Sequence, residues 1–257
     1  MNEARILYAM AYRQLKRYFR AKSRLLGTLI NPLVFFLFFG MGWSATLRGS
    51  MARQLFGGID YLSFLAPGIV MMAIFTASLV GGISVIWDRE FGFLKEVLVA
   101  PASRAYAILG RALGDSLTSV LQGLIILIPL YFVAPALKLE GLVPTLVVGF
   151  VTALTFNSLG IAIASKMRSP EGFQLIMSLV TLPLIFLSGA FYPIDNLPQY
   201  AKVIFYINPL TFAVDSSRYL LTGKSSLNLI LDLIVLLSLS LIFLIISIRI
   251  FKESTID

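Results

Sequence analysis

Long apolar stretches are the feature that most limits how this chain can fold. Six of them reach roughly 22 residues, the length that an α-helix needs to cross the ~30 Å hydrocarbon core of a bilayer. Five contain no charged residue, and the sixth contains only Asp232. They cover residues 25–47, 61–87, 116–137, 141–165, 173–194 and 227–248. These stretches predict an all-α integral membrane protein with six transmembrane helices, named spans one to six in chain order.

Composition agrees with a membrane protein. Hydrophobic residues make up 58% of the 257 residues, and charged residues only 13%. A soluble globule must cover itself with polar groups, so lipid is the better solvent for this chain. Six spans with short loops leave room for a single membrane domain, 1–257, and no soluble domain. We expect no secretory signal peptide, because the first apolar stretch has full spanning length.

Basic residues are distributed unevenly between the two sides of the predicted spans. Fifteen of the 21 Lys and Arg lie on the side that holds both termini, and seven of these lie in the first 24 residues. Cytoplasmic loops of membrane proteins carry this excess, so both termini are predicted to be cytoplasmic. The distribution argues against nucleic acid as the partner.

Several activities are disfavoured by what the sequence lacks. Without Cys or His, the chain has no disulfides, no histidine or thiolate metal ligands and no Cys or His nucleophile. No span carries the paired carboxylates of a membrane-embedded transferase, and no internal repeat indicates a secondary transporter. Gly223-Lys224-Ser225 resembles the end of a P-loop, but Arg218 holds the position that requires glycine. We therefore expect no catalytic, cofactor or metal site in this chain.

Residues 1–24 are predicted to form an amphipathic helix. One face carries rings and another carries arginines at helical spacing: Tyr8, Tyr12, Leu15 and Phe19, and Arg13, Arg17, Arg20 and Arg24. Such helices usually lie in the membrane interface with the basic face toward anionic headgroups. Contact with a cytoplasmic partner is the alternative.

The polar segment 88–104 between spans two and three has an apolar stripe of its own. Phe91, Leu94 and Leu98 share one helical face, and Ala100-Pro101 ends the helix because proline disfavours αR geometry in the residue before it. The pattern predicts a short cytosolic helix, 90–99, that has an apolar face to bury. From these residues alone, a helix resting on lipid and a docking element are equally compatible.

Residues 193–224 are too rich in proline and polar residues for a span, yet 203–206 and 210–214 are too apolar for a solvated loop. They predict two short helices that re-enter the membrane, with Pro198 in the first turn of one and Asn208-Pro209 between them. Backbone at that depth must be shielded by protein or line a water-filled cavity. A lipid-anchored loop without a gating role is the alternative.

A transport pathway is weakly specified by the spans. Ionisable groups are scarce in them, which argues against an ion channel or a proton-coupled carrier and favours a lipophilic or amphipathic cargo. For each candidate side chain, ordinary helix packing is the favoured explanation. The candidates for lining a pathway are Phe35, Phe39, Thr152, Asn157, Ser178 and Thr181.

Two stretches resemble motifs of one family. Residues 87–104, W-D-R-E-F-G-F-L-K-E-V-L-V-A-P-A-S-R, resemble the cytosolic loop of membrane subunits of type-2 ABC exporters, in which a coupling helix inserts into a groove on the ATPase subunit. Residues 187–198 and 206–211 resemble the motif of that family at the outer end of span five. The likeness covers nearly the whole chain and is greatest to the drug-resistance (daunorubicin-type) branch.

The resemblance implies a non-catalytic permease subunit in the inner membrane of a prokaryotic cell. It would export a drug, lipid or glycolipid, with export of a polysaccharide or lipid-linked glycan as the alternative. ATP and Mg²⁺ would bind to a separate ABC ATPase present in two copies, and the permease would form a homodimer in lipid. The implied ATPase contacts on the coupling helix are Arg89, Glu90, Phe91, Leu94, Lys95 and Leu98. The implied outer gate in the re-entrant pair contains Pro193, Asp195, Pro198, Asn208 and Pro209.

Overall fold

The computed structural model describes residues 3–20, 22–47, 54–93 and 103–253, and every regular element within these ranges is helical. A π-helical segment, Phe36–Met41, joins the second helix to the third, and 3₁₀ turns occur at Leu139–Gly141 and Ile194–Asn196. The α-helices are α1 (Glu3–Arg20), α2 (Lys22–Phe35), α3 (Gly42–Thr46), α4 (Tyr61–Gly81), α5 (Ile83–Glu90), α6 (Arg104–Val133), α7 (Leu142–Lys166), α8 (Pro170–Phe186), α9 (Gln199–Ile207), α10 (Pro209–Thr222) and α11 (Leu229–Glu253).

Several of these helices have the length and composition of membrane spans. Within the described residues, four stretches qualify: Tyr61–Glu90, Arg104–Val133, Leu139–Lys166 and Leu229–Phe251. Two shorter apolar helices, Leu29–Ser44 and Pro170–Phe186, coincide with predicted spans one and five. The all-helical fold is therefore confirmed and is consistent with an integral membrane protein, whereas the count of six spans and the side of each terminus remain predictions.

The bundle is built around α4. This helix is apolar on all faces and almost wholly buried, because α6, α7 and α10 pack around it. In contrast, only 17% of an 18-residue apolar stretch of α11 is buried within the chain. A helix this apolar that is left uncovered by its own chain suits contact with lipid or with another membrane helix.

Two predicted span boundaries differ from the structure. The third span was predicted to begin at Ser116, but α6 begins at Arg104, because Arg111 and Asp115 pair with charged groups inside the bundle. The fifth span was predicted to reach Ile194, but α8 ends at Phe186. There the side-chain amide of Asn208 donates to the carbonyls of Leu184 and Leu187 at 2.7 and 2.8 Å.

The N-terminal helix α1 packs along α6 over the two glycines Gly110 and Gly114. An added Cβ at Gly110 would overlap the carbonyl oxygen of Leu7, and one at Gly114 would lie 2.7 Å from that of Ala11. Glycine is needed at this crossing because the two backbones approach so closely. The rings of Tyr8, Tyr12 and Phe19 stay exposed on the other faces of α1. Lipid contact by those rings remains a prediction.

We expect Gly110→Ala to loosen α1 from α6. The new methyl group overlaps the Leu7 backbone, and overpacking of this kind costs about 1–3 kcal/mol of unfolding free energy. Thermal unfolding of the purified protein in detergent measures the effect. Gly42→Ala is the matched control, because a Cβ there meets nothing within 4 Å. Equal melting temperatures for the two variants would contradict the close crossing.

Candidate functional site

The buried carboxylate of Asp88 lies where α1, α5 and α6 meet. Arg13 of α1 donates to both of its oxygens, from Nη1 to Oδ2 at 3.0 Å and from Nη2 to Oδ1 at 2.6 Å. Arg111 of α6 reaches Oδ2 from the other side at 2.8 Å. One carboxylate therefore holds two guanidinium groups that come from different helices, and the bidentate pairing with Arg13 fixes the orientation of that guanidinium as well as its distance.

A second carboxylate extends this cluster along α6. Arg111 donates to the Ser84 hydroxyl at 2.6 Å, and its Nε lies 4.0 Å from Asp115, one turn further along α6. Arg17 of α1 approaches Asp115 at 3.7 Å. The five charged groups Arg13, Arg17, Asp88, Arg111 and Asp115 are called the Asp88 cluster below. Its charges alternate in sign, so each charged group that is removed from water lies beside an opposite one.

Arg89 follows Asp88 in the chain and holds a different helix. Its guanidinium donates to the carbonyl oxygens of Met167 at 2.9 Å and Ser165 at 3.0 Å. These carbonyls lie at the C-terminal end of α7, where helix carbonyls lack intrahelical partners and favour a cation. Asp88 and Arg89 thus attach the end of α5 to α1 and α6 on one side and to α7 on the other.

The start of the predicted coupling segment is exposed. Helix α5 ends at Phe91-Gly92, where Gly92 adopts a φ of +78° that favours glycine. The Phe91 ring is 83% exposed, whereas the guanidinium carbon of Arg13 lies 3.6 Å from the centroid of the Phe93 ring. Glu90 is also exposed. Leu94, Lys95 and Leu98 lie outside the described residues.

The predicted gate residues lie at the end of the bundle opposite to the Asp88 cluster. They are found around a 3₁₀ turn and at the starts of α9 and α10. Pro193 precedes the 3₁₀ turn that contains Asp195, and Pro198 precedes α9. Asn208 is the N-cap of α10, accepting from the Leu210 amide at 2.9 Å, and Pro209 is its first residue. Two short helices therefore occupy this stretch, divided at Asn208-Pro209. Their depth in a membrane and their gating role stay predictions.

The predicted pathway residues lie in several parts of the bundle. Thr152 and Asn157 are fully buried in α7; the Thr152 hydroxyl donates to Val148 and the Asn157 amide to Ala112 of α6. Helix packing accounts for both. Phe35 and Phe39 stack at 5.7 Å and border Phe191. On α8, the hydroxyl of the exposed Ser178 donates to Leu175 and Thr181 is half-buried.

Sequence reasoning missed the central members of the Asp88 cluster as site residues. Arg111 and Asp115 stand four apart with opposite charge, and Gly110 and Gly114 show the same spacing. Together they indicate a helix face that receives another backbone and carries an ion pair, a signal that was present in the sequence. Nothing in the sequence indicated that Asp88 pairs with Arg13, 75 positions away.

Asp88→Asn is expected to lower the unfolding free energy by about 3–5 kcal/mol, because it removes the closer of the two carboxylates beside the buried Arg111 cation. The cost should fall sharply in an Arg111→Met background, where position 88 no longer faces a buried cation. Thermal or denaturant unfolding of the four proteins in this double-mutant cycle measures the coupling. The exposed neighbour Glu90→Gln is the control and should change little. An identical Asp88→Asn cost in both backgrounds would contradict the buried pair.

Comparison with known proteins agrees with the motifs. The family model of the ABC-2 type transporter matches residues 5–222. The transport permease ycf38 of Cyanophora paradoxa is 28% identical over 228 residues, which cover 88% of this chain and 76% of ycf38. The inner membrane transport permease YadH of Escherichia coli (strain K12) is 25% identical, covering 79% of this chain and 78% of YadH. Nodulation protein J of Rhizobium leguminosarum bv. trifolii is 30% identical, covering 79% and 76%. The chain belongs to the ABC-2 type transporter family, as a membrane permease.

Proposed function

We propose that this permease is the membrane subunit of an ATP-driven exporter and that residues 88–104 receive the movement of a separate ATPase subunit. In this proposal the end of the bundle that holds the Asp88 cluster faces the cytoplasm. Two permease chains assemble with two ATPase subunits, which bind ATP and Mg²⁺. Family membership supports the partnership with an ATPase.

The observation that carries the proposal is that Asp88 binds α1 and α6, whereas its neighbour Arg89 binds α7. These two residues begin the coupling segment, 88–104, and the exposed Phe91 follows shortly after them. Any displacement of this segment acts on two adjacent residues whose contacts extend to α1, α6 and α7. A hinged loop would absorb such a displacement, whereas short charge-assisted bonds with fixed geometry pass it on to the helices.

The position of α4 extends this relay through the bundle. Helices α4 and α5 follow each other with only Gly82 between them, and α4 packs against α10 at the opposite end. Movement of α5 is therefore expected to reach the predicted gate, Asn208-Pro209, through packed helices. We propose that this gate opens when the two nucleotide-binding subunits close.

The proposed cargo is lipophilic or amphipathic: a drug, lipid or glycolipid. The exposed face of α8 supports this, because Leu175, Leu179 and Leu182 surround the single hydroxyl of Ser178. Such a face suits an apolar molecule that carries few polar groups. A polysaccharide or lipid-linked glycan is the second candidate, and the drug-resistance branch remains a hypothesis from sequence.

Two variants are expected to distinguish binding of the ATPase subunit from transmission of its movement through the bundle. Phe91→Asp should weaken co-purification of the ATPase subunit, with a loss of about 2 kcal/mol or more for a buried aromatic contact. Arg89→Ala should leave the ATPase bound but break the attachment to α7. Because the chain has no native Cys, Tyr200→Cys provides a single reporter on the exposed surface of α9. ATP should change its maleimide labelling rate in the parent but not in Arg89→Ala.

Tyr200→Asp is the control for Phe91→Asp, because Tyr200 is an equally exposed aromatic residue, 80% accessible, at the other end of the bundle. It should leave ATPase binding unchanged. Full ATPase binding by Phe91→Asp would contradict the proposal that residues 88–104 are the docking segment. If ATP still changes the labelling rate in Arg89→Ala, Arg89 does not transmit the movement.

A further inference from the structure

Arg218 of α10 is a buried cation at the end of the bundle opposite to the Asp88 cluster. Only 2% of the residue is exposed. Its Nε donates to the Phe64 carbonyl at 3.3 Å and its Nη2 to the Gly189 carbonyl at 2.8 Å. The guanidinium carbon lies 3.8 Å above the centroid of the Phe64 ring, a cation–π contact. These contacts fix the position of the guanidinium group but bring no negative charge.

The charge of Arg218 lacks a direct counter-ion within the described part of the chain. No described carboxylate lies within 4 Å of it, and the nearby Asp215 accepts instead from the amides of Ser226 and Leu227 at 2.8 and 2.9 Å. Burial lowers the pKa of Arg218 to about 10, opposed by Asp215 and Asp195. The group therefore stays charged at neutral pH. Buried charges are normally paired, so this one is unusual.

A cavity of about 170 Å³ adjoins this guanidinium group. Among the described residues, its Nη1 has no hydrogen-bond partner and is not one of the fully enclosed unpaired atoms, so no described residue occupies this donor. Lys224 contributes a second cation to the lining, and Asp195, Asn196 and Phe56 complete much of the wall. The volume is more than ten times the ~10–15 Å³ needed for one water, so a small polar group fits.

We propose that this cavity binds a phosphate-bearing group at the Arg218 end of the bundle. The guanidinium donates through Nη1 to one phosphate oxygen, and the Lys224 ammonium reaches another from the rim. Arginine and lysine bind phosphate in this way through charge-assisted hydrogen bonds. Asp195 lies across the same cavity, where it accepts from an amine or hydroxyl attached to the phosphate. A phospholipid headgroup and free phosphate share this chemistry.

Lys224 offers the test that does not disturb the fold, because its side chain is exposed whereas Arg218 holds two carbonyls. Thermal stabilisation of the purified full-length protein in a non-phosphate detergent is measured against two probes, dihexanoylphosphatidylglycerol and inorganic phosphate. Lys224→Gln should weaken apparent binding about threefold to tenfold, as for the loss of one charge-assisted contact. Lys202→Gln is the control, since Lys202 belongs to α9 and does not line the cavity. Arg218→Gln should abolish binding if it folds.

Stabilisation by the lipid alone identifies a headgroup as the source, and stabilisation by inorganic phosphate at similar concentration identifies free phosphate. Either result supports the proposal only when Lys224→Gln weakens it and Lys202→Gln does not. Stabilisation by neither probe, or equal binding by Lys224→Gln and the parent, overturns it. The assay contains no ATPase, so a failure here is separate from a failure of the coupling proposal.

Discussion

The structure depends on a buried carboxylate that two arginines share. Asp88 lies near the end of α5, which directly follows the buried helix α4, and an ionised group there is stable only if opposite charges replace the water it has lost. Arg13 and Arg111 supply those charges from helices that precede and follow it in the chain. The need to neutralise Asp88 therefore fixes α1 against the bundle and lets α6 begin a dozen residues before its charge-free stretch.

Charged side chains have different partners at the two ends of the bundle. In the Asp88 cluster every carboxylate has an arginine beside it, and Arg89 takes up the carbonyls at the end of α7. At the opposite end, Arg218 is held by carbonyls and a ring, with a cavity beside its guanidinium group. A closed ionic cluster suits an end that must move as one body. A buried cation that has no carboxylate within 4 Å in the described part of the chain, and that lies beside a cavity, suits an end that binds a ligand.

Periodicity and composition were sufficient to predict the helices, because each helix depends on residues that are close together in the chain. The apolar stretches became helices, and Asn208-Pro209 divides α9 from α10 as its chemistry predicts. The family motif was also readable locally, and membership is confirmed by the match over residues 5–222. The sequence did not show which charged residues pair when they are far apart in the chain. Span three was predicted to begin after Arg111 and Asp115, because the sequence did not show that Arg111 pairs with Asp88 of α5 and that Asp115 lies near Arg17 of α1.

Arg89 makes a contact that the sequence did not predict. Its contact with the ATPase subunit remains a prediction, and within the chain its guanidinium donates to the carbonyls of Ser165 and Met167. Phe91, two positions later, is the residue that is free to be buried by a partner. Which of two neighbouring residues faces inward depends on where a helix ends, and the break at Phe91-Gly92 depends on tertiary context.

The central claim is that α5 and α7 move together because Arg89 joins them. Spin labels at Glu90 and Lys166, both exposed, test it by electron–electron distance measurement in complexes that carry one labelled permease chain. The account predicts the same distance distribution in the nucleotide-free and ATP-trapped states, together with a change between labels at position 90 of two permease chains. A shift of the 90–166 distance on ATP trapping would contradict it.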